Sequence, residues 1–292
     1  MLADLNRNPL KGLQVASFGE VLFDIIDDKP HLGGAPLNFA WYASQMGAEV
    51  TLISTVGNDQ LGDKALSTIL NTKIEPIVTR SKLPTGVAEV SSDGSFKIAR
   101  GTAWEKISVP ISSGHDLQLL YFGSLAQVSK ENRSSLKTLL DRKPKYVLVD
   151  LNLRENCYTK QTIEDCLYYA TMLKVNEKEW NVVSEITGIN EPELLMRRKR
   201  LNAMAVTRGE NGATLYSAAG GVEFKPSSID LVDQTGAGDA FSAVLAVGIL
   251  INAHPAQALA ASCQAGAVVA SKKGALVDLP KDILEAYEEE LS

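Results

Sequence analysis

Six short runs rich in Val, Ile and Leu recur along the chain, at residues 15–18, 50–56, 119–122, 146–150, 172–175 and 203–207. Stretches with helical spacing of apolar residues lie between most of them, at 36–45, 63–70, 131–140 and 161–170. A strand that is apolar throughout needs cover on both faces, and the helices that cross over between parallel strands supply it. The alternation therefore predicts an α/β fold with a central, mostly parallel sheet flanked by helices. The 292 residues suit one large α/β domain, or one domain with an appendage. The last third closes with helical stretches at 237–250, 255–270 and 282–290, and the chain shows no solenoid period or low-complexity tract.

One region breaks this rhythm. Residues 85–104 read as strand, turn, strand, with Asp93-Gly94 at the turn, and residues 21–32 also read as extended. Two such stretches inserted into an α/β domain either build a small sheet over its edge or form a decorative hairpin.

Composition narrows the partners. The net charge of −6 and the absence of a basic stripe give no footprint for nucleic acid. The cysteines, Cys157, Cys166 and Cys263, are odd in number and lack CxxC or zinc spacing, which fits a reducing compartment. The first residues carry no apolar signal-like core, and the apolar stretch 240–253 is shorter than the roughly 20 residues a bilayer requires. A soluble, cytoplasmic protein with no membrane partner is expected.

The segment DQTGAGDAF, residues 233–241, stands directly before the apolar stretch. Gly236 and Gly238 allow a tight turn and close approach of a ligand to the main chain. The helix that follows opens with unpaired N–H groups and partial positive charge, an anion site suited to phosphate. Asp239 is then out of place as an anion neighbour. It is either a mildly stabilising residue of the first helical turn or a base that takes the proton of an attacking hydroxyl. No G-x-x-x-x-G-K-[ST] occurs, and Gly236-Ala237-Gly238 lacks the third glycine of a dinucleotide fingerprint.

At the other end, Gly33 and Gly34 precede a helix with Pro36 in its first turn. Asn38 offers a donor and an acceptor, and Asp24 is a charge within an apolar strand. A carboxylate that accepts two neighbouring hydroxyls is a common grip on a sugar. The alternative is an exposed strand-edge carboxylate and a local cap.

Taken together, these stretches resemble the pfkB (ribokinase-like) carbohydrate kinase family, and within it the bacterial fructokinases. The resemblance rests on five ordered motifs: Gly33-Gly34-Ala35-Pro36-x-Asn38 with MGAEVTLISTVGNDQLGDKAL (46–66), DLNLR (150–154), KVNEKE (174–179), TRGENGA (207–213) and the DQTGAGDAF segment. It implies a ribokinase-like fold over residues 1–292, with a β-sheet lid from about 21–32 and 84–106. It implies that Asp239 is the catalytic base and that Gly236, Ala237 and Gly238 form the anion hole. Asp24, Gly33, Gly34, Asn38, Arg100 and Arg154 fall on the substrate side. Asn176, Thr207, Gly209 and Gly212 fall on the nucleotide side, and Asn176 with Glu179 organises Mg²⁺ through water. Asp233 and Thr235 stand where some members hold a monovalent cation, K⁺, although Gln234 replaces the more usual Thr or Ser there. Bland rivals stand beside three of these roles: a surface pair for Asn176 and Glu179, and a salt bridge to Asp150 for Arg154.

The partners implied are ATP and a small sugar, and a homodimer through the lid by analogy. GE-x-x-x-D (19–24), GGAPxN and Ala103-Trp104 point to fructose. The alternatives are 2-keto-3-deoxygluconate, ribose, or another small sugar or nucleoside. Lys97 and Arg100 would serve a phosphorylated sugar, or are solvated lid charges. From other classes come a catalytically inactive binding relative, whose mark would be loss of Asp239 or the glycines, and a nucleotide-dependent oxidoreductase.

Overall fold

The apolar runs become strands buried from both sides. In a computed structural model, which describes residues 12–26, 28–90, 96–109 and 117–287, the chain forms β1 (Gln14–Phe18), β2 (Leu22–Ile26), β3 (Lys29–Gly33), α1 (Ala35–Gln45), β4 (Glu49–Gly57), α2 (Gln60–Leu70), β5 (Glu75–Ser81), β6 (Gly86–Val90) and β7 (Phe96–Ile98). There follow β8 (Leu119–Gly123), α3 (Lys130–Leu140), β9 (Tyr146–Asp150), α4 (Lys160–Tyr169), β10 (Met172–Asn176), α5 (Glu177–Thr187), α6 (Pro192–Lys199), β11 (Ala203–Thr207), β12 (Ala213–Ser217), β13 (Gly220–Phe224), α7 (Ala237–Leu250), α8 (Pro255–Ala270) and α9 (Lys281–Leu284).

Nine strands form the central sheet in the order β13-β12-β11-β10-β9-β8-β1-β4-β5. Pairing is parallel from β11 to β5, and antiparallel where β12 and β13 close one edge. The chain builds outward from β1 to β4 and β5, then returns to place β8 on the other side of β1. The strand order therefore reverses between β1 and β8, and ligands of open α/β sheets bind outside the carboxyl ends of strands at such a point.

Two apolar layers cover the sheet. On one face Leu148, Met172 and Ala205 pack with α1, α7 and α8; on the other Val149, Leu173 and Met204 pack with residues of α3 to α6. α7 is buried along nearly its whole length, including Ser242. The close approach of α8 depends on Gly266, where a Cβ would lie 3.2 Å from the Ala237 carbonyl oxygen. α1 also holds the segment after α8: Tyr42 Oη donates to Ala275 O at 2.7 Å, Trp41 Nε1 to Val277 O at 3.1 Å, and the Leu279 N–H donates to Gln45 Oε1 at 2.9 Å.

The two irregular stretches build a second sheet of four strands, β3-β2-β6-β7. The extended segment at 21–32 is a pair of antiparallel strands, β2 and β3. The Asp93-Gly94 turn lies outside the described residues, as do residues 288–290 of the last expected helix. Trp104 roots this sheet. Its ring is fully buried with Leu22, Ala88, Leu125 and Cys157. A Cβ at Gly86 would lie 2.4 Å from the indole, so only glycine fits that position on β6. The backbone around the indole is fixed by the buried Asn132, whose amide donates to Trp104 O at 2.8 Å and Ala126 O at 2.9 Å and accepts from the Ile107 N–H at 2.9 Å.

Several elements exceed the sequence expectation. β5 and β13 are sheet edges with polar, half-exposed residues, so they lack a continuous apolar run. α5 follows β10 with Asn176 as its cap and no polar spacer between them. α2 begins earlier than expected because Asp59 accepts the Gly62 N–H at 2.8 Å and starts the helix there.

Removing the indole should leave a cavity that this packing cannot close. Trp104→Ala is expected to cost about 3–5 kcal/mol and lower the thermal midpoint by on the order of 10 °C. Circular dichroism melting measures it; a midpoint within two degrees or so of wild type would show that the small sheet is anchored elsewhere.

Candidate active site

Some residues singled out from sequence, and others that were not, stand at the carboxyl ends of the central strands. Glu20 follows β1, Ser124 and Gln127 follow β8, Asp150 ends β9, Asn176 ends β10 and Thr207 ends β11. Against this rim stands the start of α7.

Gly236 caps α7 in the left-handed region at φ 82°, and no side chain closes the helix end. A Cβ at Gly236 would lie 2.7 Å from Ala275 O, which adds a steric reason to the conformational one. The uncapped first turn through Ala237, Gly238 and Asp239 retains the positive end of the helix. Asp239 is buried, and its Oδ2 accepts from Asn38 Nδ2 at 2.8 Å. Burial, then the nearby Asp150, push the Asp239 carboxyl up to about 6, against the Asn38 hydrogen bond, Lys174 and Arg154. Asn38 thus orients the carboxylate, and its own Oδ1 is buried without a protein partner.

On the small-sheet side, Asp24 projects from β2 and is buried. Burial raises its pKa to about 6, with Arg154 opposing. Gly33 makes room for this carboxylate, since a Cβ there would lie 3.0 Å from Asp24 Oδ2. Gly34 lies at φ 110° and approaches the Glu20 carbonyl so closely that a Cβ would stand 2.4 Å from it. Asp24 is therefore not at an exposed edge.

Glu20 carries a role that sequence reading left unassigned. It is 3% exposed, and its Oε2 has no hydrogen-bond partner. Burial, with a smaller contribution from Asp239, raises its pKa to about 7, and Arg154 opposes the shift. Arg154 is thus the shared cation of Glu20, Asp24 and Asp239. The only clue in the sequence is the Glu of GE-x-x-x-D directly after an apolar strand. Asn152, in the same loop as Arg154, adopts φ 42°, a region that asparagine tolerates.

The salt bridge of Arg154 to Asp150 gives way to a different arrangement. Asp150 is completely buried, with Oδ1 3.1 Å from Lys174 Nζ and Oδ2 accepting from Ser242 Oγ at 2.9 Å. Arg100 does not reach inward: its Nε and Nη2 donate to Glu105 at 3.2 and 3.1 Å on the exposed side. Lys97 faces Glu89 across 3.9 Å, both exposed.

Asn176 and Glu179 form a capping box rather than a surface pair. Asn176 Oδ1 accepts the Glu179 N–H at 2.9 Å, and Glu179 Oε2 accepts the Asn176 N–H at 2.8 Å. The other oxygen, Oε1, accepts the Leu153 N–H at 2.8 Å, which ties the Arg154 loop to α5. Thr207 lies beside Asn176 in the sheet. In the following turn Gly209 (φ 55°) has open space around it, whereas Gly212 (φ 81°) is pressed against β13, where a Cβ would lie 2.0 Å from Phe224 O. Asp233 accepts the Thr235 N–H at 2.9 Å and the Gly274 N–H at 3.0 Å. Among the described residues no group of three His, Cys, Asp or Glu side chains is placed to hold a metal directly.

A buried carboxylate, a glycine-started helix without a side-chain cap and buried polar groups at the switch point are parts that phosphoryl transfer to an alcohol would use. The model of the pfkB family of carbohydrate kinases matches residues 2–282. The chain belongs to that family. Among curated relatives, the fructokinase of Escherichia coli is 25% identical over 293 aligned residues, covering 90% of this chain and 94% of its own length. Among solved structures, a fructokinase from Vibrio cholerae bound to fructose, ADP and calcium superposes with a TM-score of 0.82 at 23% identity, covering 94% of this chain and 98% of that one. An aminoimidazole riboside kinase from Salmonella enterica gives 0.77 at 23% identity, covering 96% and 100%. At these identities the structural likeness establishes the ribokinase-like fold. In this pfkB kinase no helix among the described residues is long and apolar enough to cross a membrane.

The raised carboxyls have a thermodynamic signature. Between pH 7.5 and 5.5 the folded kinase takes up protons on Glu20, Asp24 and Asp239 that the unfolded chain, with ordinary values near 4, takes up only at lower pH. Their contribution is therefore greatest at low pH and is lost as pH rises through 6 and 7. The ligand-free protein is expected to melt a few degrees higher at pH 5.5 than at 7.5, and Glu20→Gln should shrink that difference. Calorimetric scans at the two pH values test both; a lower midpoint at pH 5.5 would contradict the raised pKa values.

Proposed function

We propose that this kinase transfers the γ-phosphoryl group of ATP to a hydroxyl of a small neutral sugar, with fructose as the preferred substrate. The observation that carries the reading is the buried Asp239 carboxylate in the first turn of an uncapped helix, with one oxygen held by Asn38 and the other left for a substrate proton. Fructokinases among the relatives support the choice of sugar.

In this mechanism the sugar hydroxyl gives its proton to Asp239 Oδ1 as its oxygen bonds to the γ-phosphorus, and the bond to the leaving ADP breaks. The first-turn N–H groups of Gly238 and Asp239 receive the charge on the transferred group; the Ala237 N–H, expected to join them, donates instead to Gln234 O at 3.2 Å. Asp24, with Gly33 giving it room, accepts sugar hydroxyls, and Asn38 Oδ1 and Glu20 Oε2 are buried polar atoms suited to the same polyol. Three carboxyls share Arg154, while Arg100 is engaged by Glu105. This balance favours a neutral sugar over 2-keto-3-deoxygluconate or a sugar phosphate. The intact Asp239 and glycines argue against an inactive relative.

On the nucleotide side, Thr207, Gly209 and the open space around Gly209 border the phosphates, while Gly212 shapes the turn. Mg²⁺ would travel with the triphosphate and offset its charge. Asn176 and Glu179 suit it only through water, because their oxygens already accept backbone N–H groups. Toward K⁺ the candidates are Asp233, whose two oxygens already accept the Thr235 and Gly274 N–H groups, and Thr235. The small sheet acts as the lid of one catalytic unit formed by the whole chain, and a homodimer through that lid and a cytoplasmic location follow by family analogy.

Incubation with Mg-ATP and a panel of sugars, sugar acids and nucleosides, following ADP release, tests the assignment. Fructose should give the highest kcat/KM, and excess EDTA should stop turnover. A higher value for ribose, a nucleoside or a sugar acid would replace fructose.

Asp239→Asn should lower kcat by about 10²–10⁴-fold while ATP affinity is kept or improved, because a charge beside the phosphate cradle is lost. In the wild-type enzyme kcat/KM should fall as pH drops below about 6, where Asp239 takes up a proton. A variant within a few-fold of wild type would remove Asp239 as the base.

Asp24→Ala should raise the sugar KM far more than the Kd of a non-hydrolysable ATP analogue, because hydroxyls left without partners lose about 1–3 kcal/mol each. Equal losses for both ligands would make Asp24 structural.

A further inference from the structure

The two glycines of the GAG turn differ in their reasons for being glycine. Gly236 has a left-handed backbone, whereas Gly238 is an ordinary helical residue whose missing Cβ would lie 3.1 Å from Lys174 Nζ. The space left at Gly238 is filled by an ammonium group.

Lys174 and Asp150 are direct register partners on β10 and β9. Leu148 and Met172, two residues before them, pack in the apolar layer that also holds α7. Period-two alternation therefore aims the Lys174 and Asp150 side chains at α7. The Lys174 side chain is 8% exposed and Asp150 is fully buried, with 3.1 Å between their charges. Ser242 Oγ, on α7, completes the arrangement by donating to the other Asp150 oxygen at 2.9 Å. An ammonium against a helix N-terminus meets the positive end of the dipole and is disfavoured there. A buried ion pair is also weak evidence for stability, because desolvation offsets much of its attraction. Packing alone gives no reason for a lysine at this position.

We propose that Lys174 is a positioning residue of the phosphoryl site: its ammonium, held by Asp150, which Ser242 fixes in turn, lies behind the first turn of α7 and adds a fixed positive charge to the anion hole. The proposal rests on the kinase reading of that hole and adds to it. Placed behind the main chain, the ammonium attracts the transferring group without occupying its space. Its interaction is strongest where negative charge gathers in transfer, so it should favour the transition state over bound nucleotide. Glycine at 238 leaves the ammonium its room, since a Cβ there would stand 3.1 Å from it.

The test compares ADP with ADP plus aluminium fluoride, a mimic of the transferring phosphoryl group, by calorimetry with Mg²⁺ and fructose, or with the sugar that wild type turns over best. Lys174→Met is expected to weaken the fluoride complex at least tenfold, keep ADP within about twofold, and lower kcat with little change in the sugar KM. Lys174→Met leaves Asp150 buried without its partner, so the double variant Asp150→Asn/Lys174→Met keeps the site neutral and should show the same selective loss if the single variant fails to fold. Equal losses for the two ligands, or none, in whichever variant folds would overturn the proposal. Wild type that turns over no sugar, together with a selective loss in the variant, would overturn the kinase reading and keep the role of Lys174 in the anion hole. Sugar turnover by wild type with an equal loss would reject Lys174 alone.

Discussion

A single hydrogen bond, from Asn38 to Asp239 across 201 residues of chain, joins the two halves of the site. It works because α1 and α7 lie side by side on one face of the central sheet, packed through Phe39, Ala43, Ala240 and Val244. Without that packing, Asn38 would be one more polar residue in a helix and Asp239 a solvated first-turn carboxylate. With it, one oxygen of a buried acid is fixed and the other is directed. The remaining parts are arranged around this bond. The small sheet brings Asp24 from one side, the loop after β9 brings Arg154 from another, and the start of α7 supplies its N–H groups.

Electrostatically, the site holds more acids than it can satisfy. Glu20, Asp24 and Asp239 are all pushed upward by burial, and Arg154 is common to the three. Such a cluster is costly in an apolar protein interior and finds relief when a polyol supplies hydroxyl donors. Below the same helix, Asp150 has full satisfaction from Lys174 and Ser242. The contrast between an over-supplied upper layer and a balanced lower one matches the proposed division between groups that would face substrate and those that hold the geometry.

Much of this was legible in the chain. Gly236, Gly238 and Asp239 announce an anion site because few residue types serve a turn, a close approach and a base in four positions. The strands at 146–150 and 172–175 declare themselves by continuous apolar runs. Lys174 and Glu20 did not: a charge within or just after an apolar strand announces a buried partner without saying which. The targets of Asn38 and Asp150 depend on how distant elements pack. β5 and β13 escaped because edge strands face water and carry no continuous apolar signal. Asn176 and Glu179 show the converse, since a motif read as metal-organising is also a capping box that starts α5.

The straps from Trp41, Tyr42 and Gln45 to residues 275–279 carry a consequence for biosynthesis. α1 leaves the ribosome early, but the groups that satisfy its polar side chains and cover its apolar face belong to the last part of the chain. Until then Tyr42 lacks its partner at residue 275, whereas Phe39 stacks on Tyr121 of β8. α1 therefore finds its full set of partners only after α7 and residues 275–279 have been made. A topology that joins early and late segments in this way keeps apolar surface exposed for longer during folding, which favours slow folding and aggregation-prone intermediates.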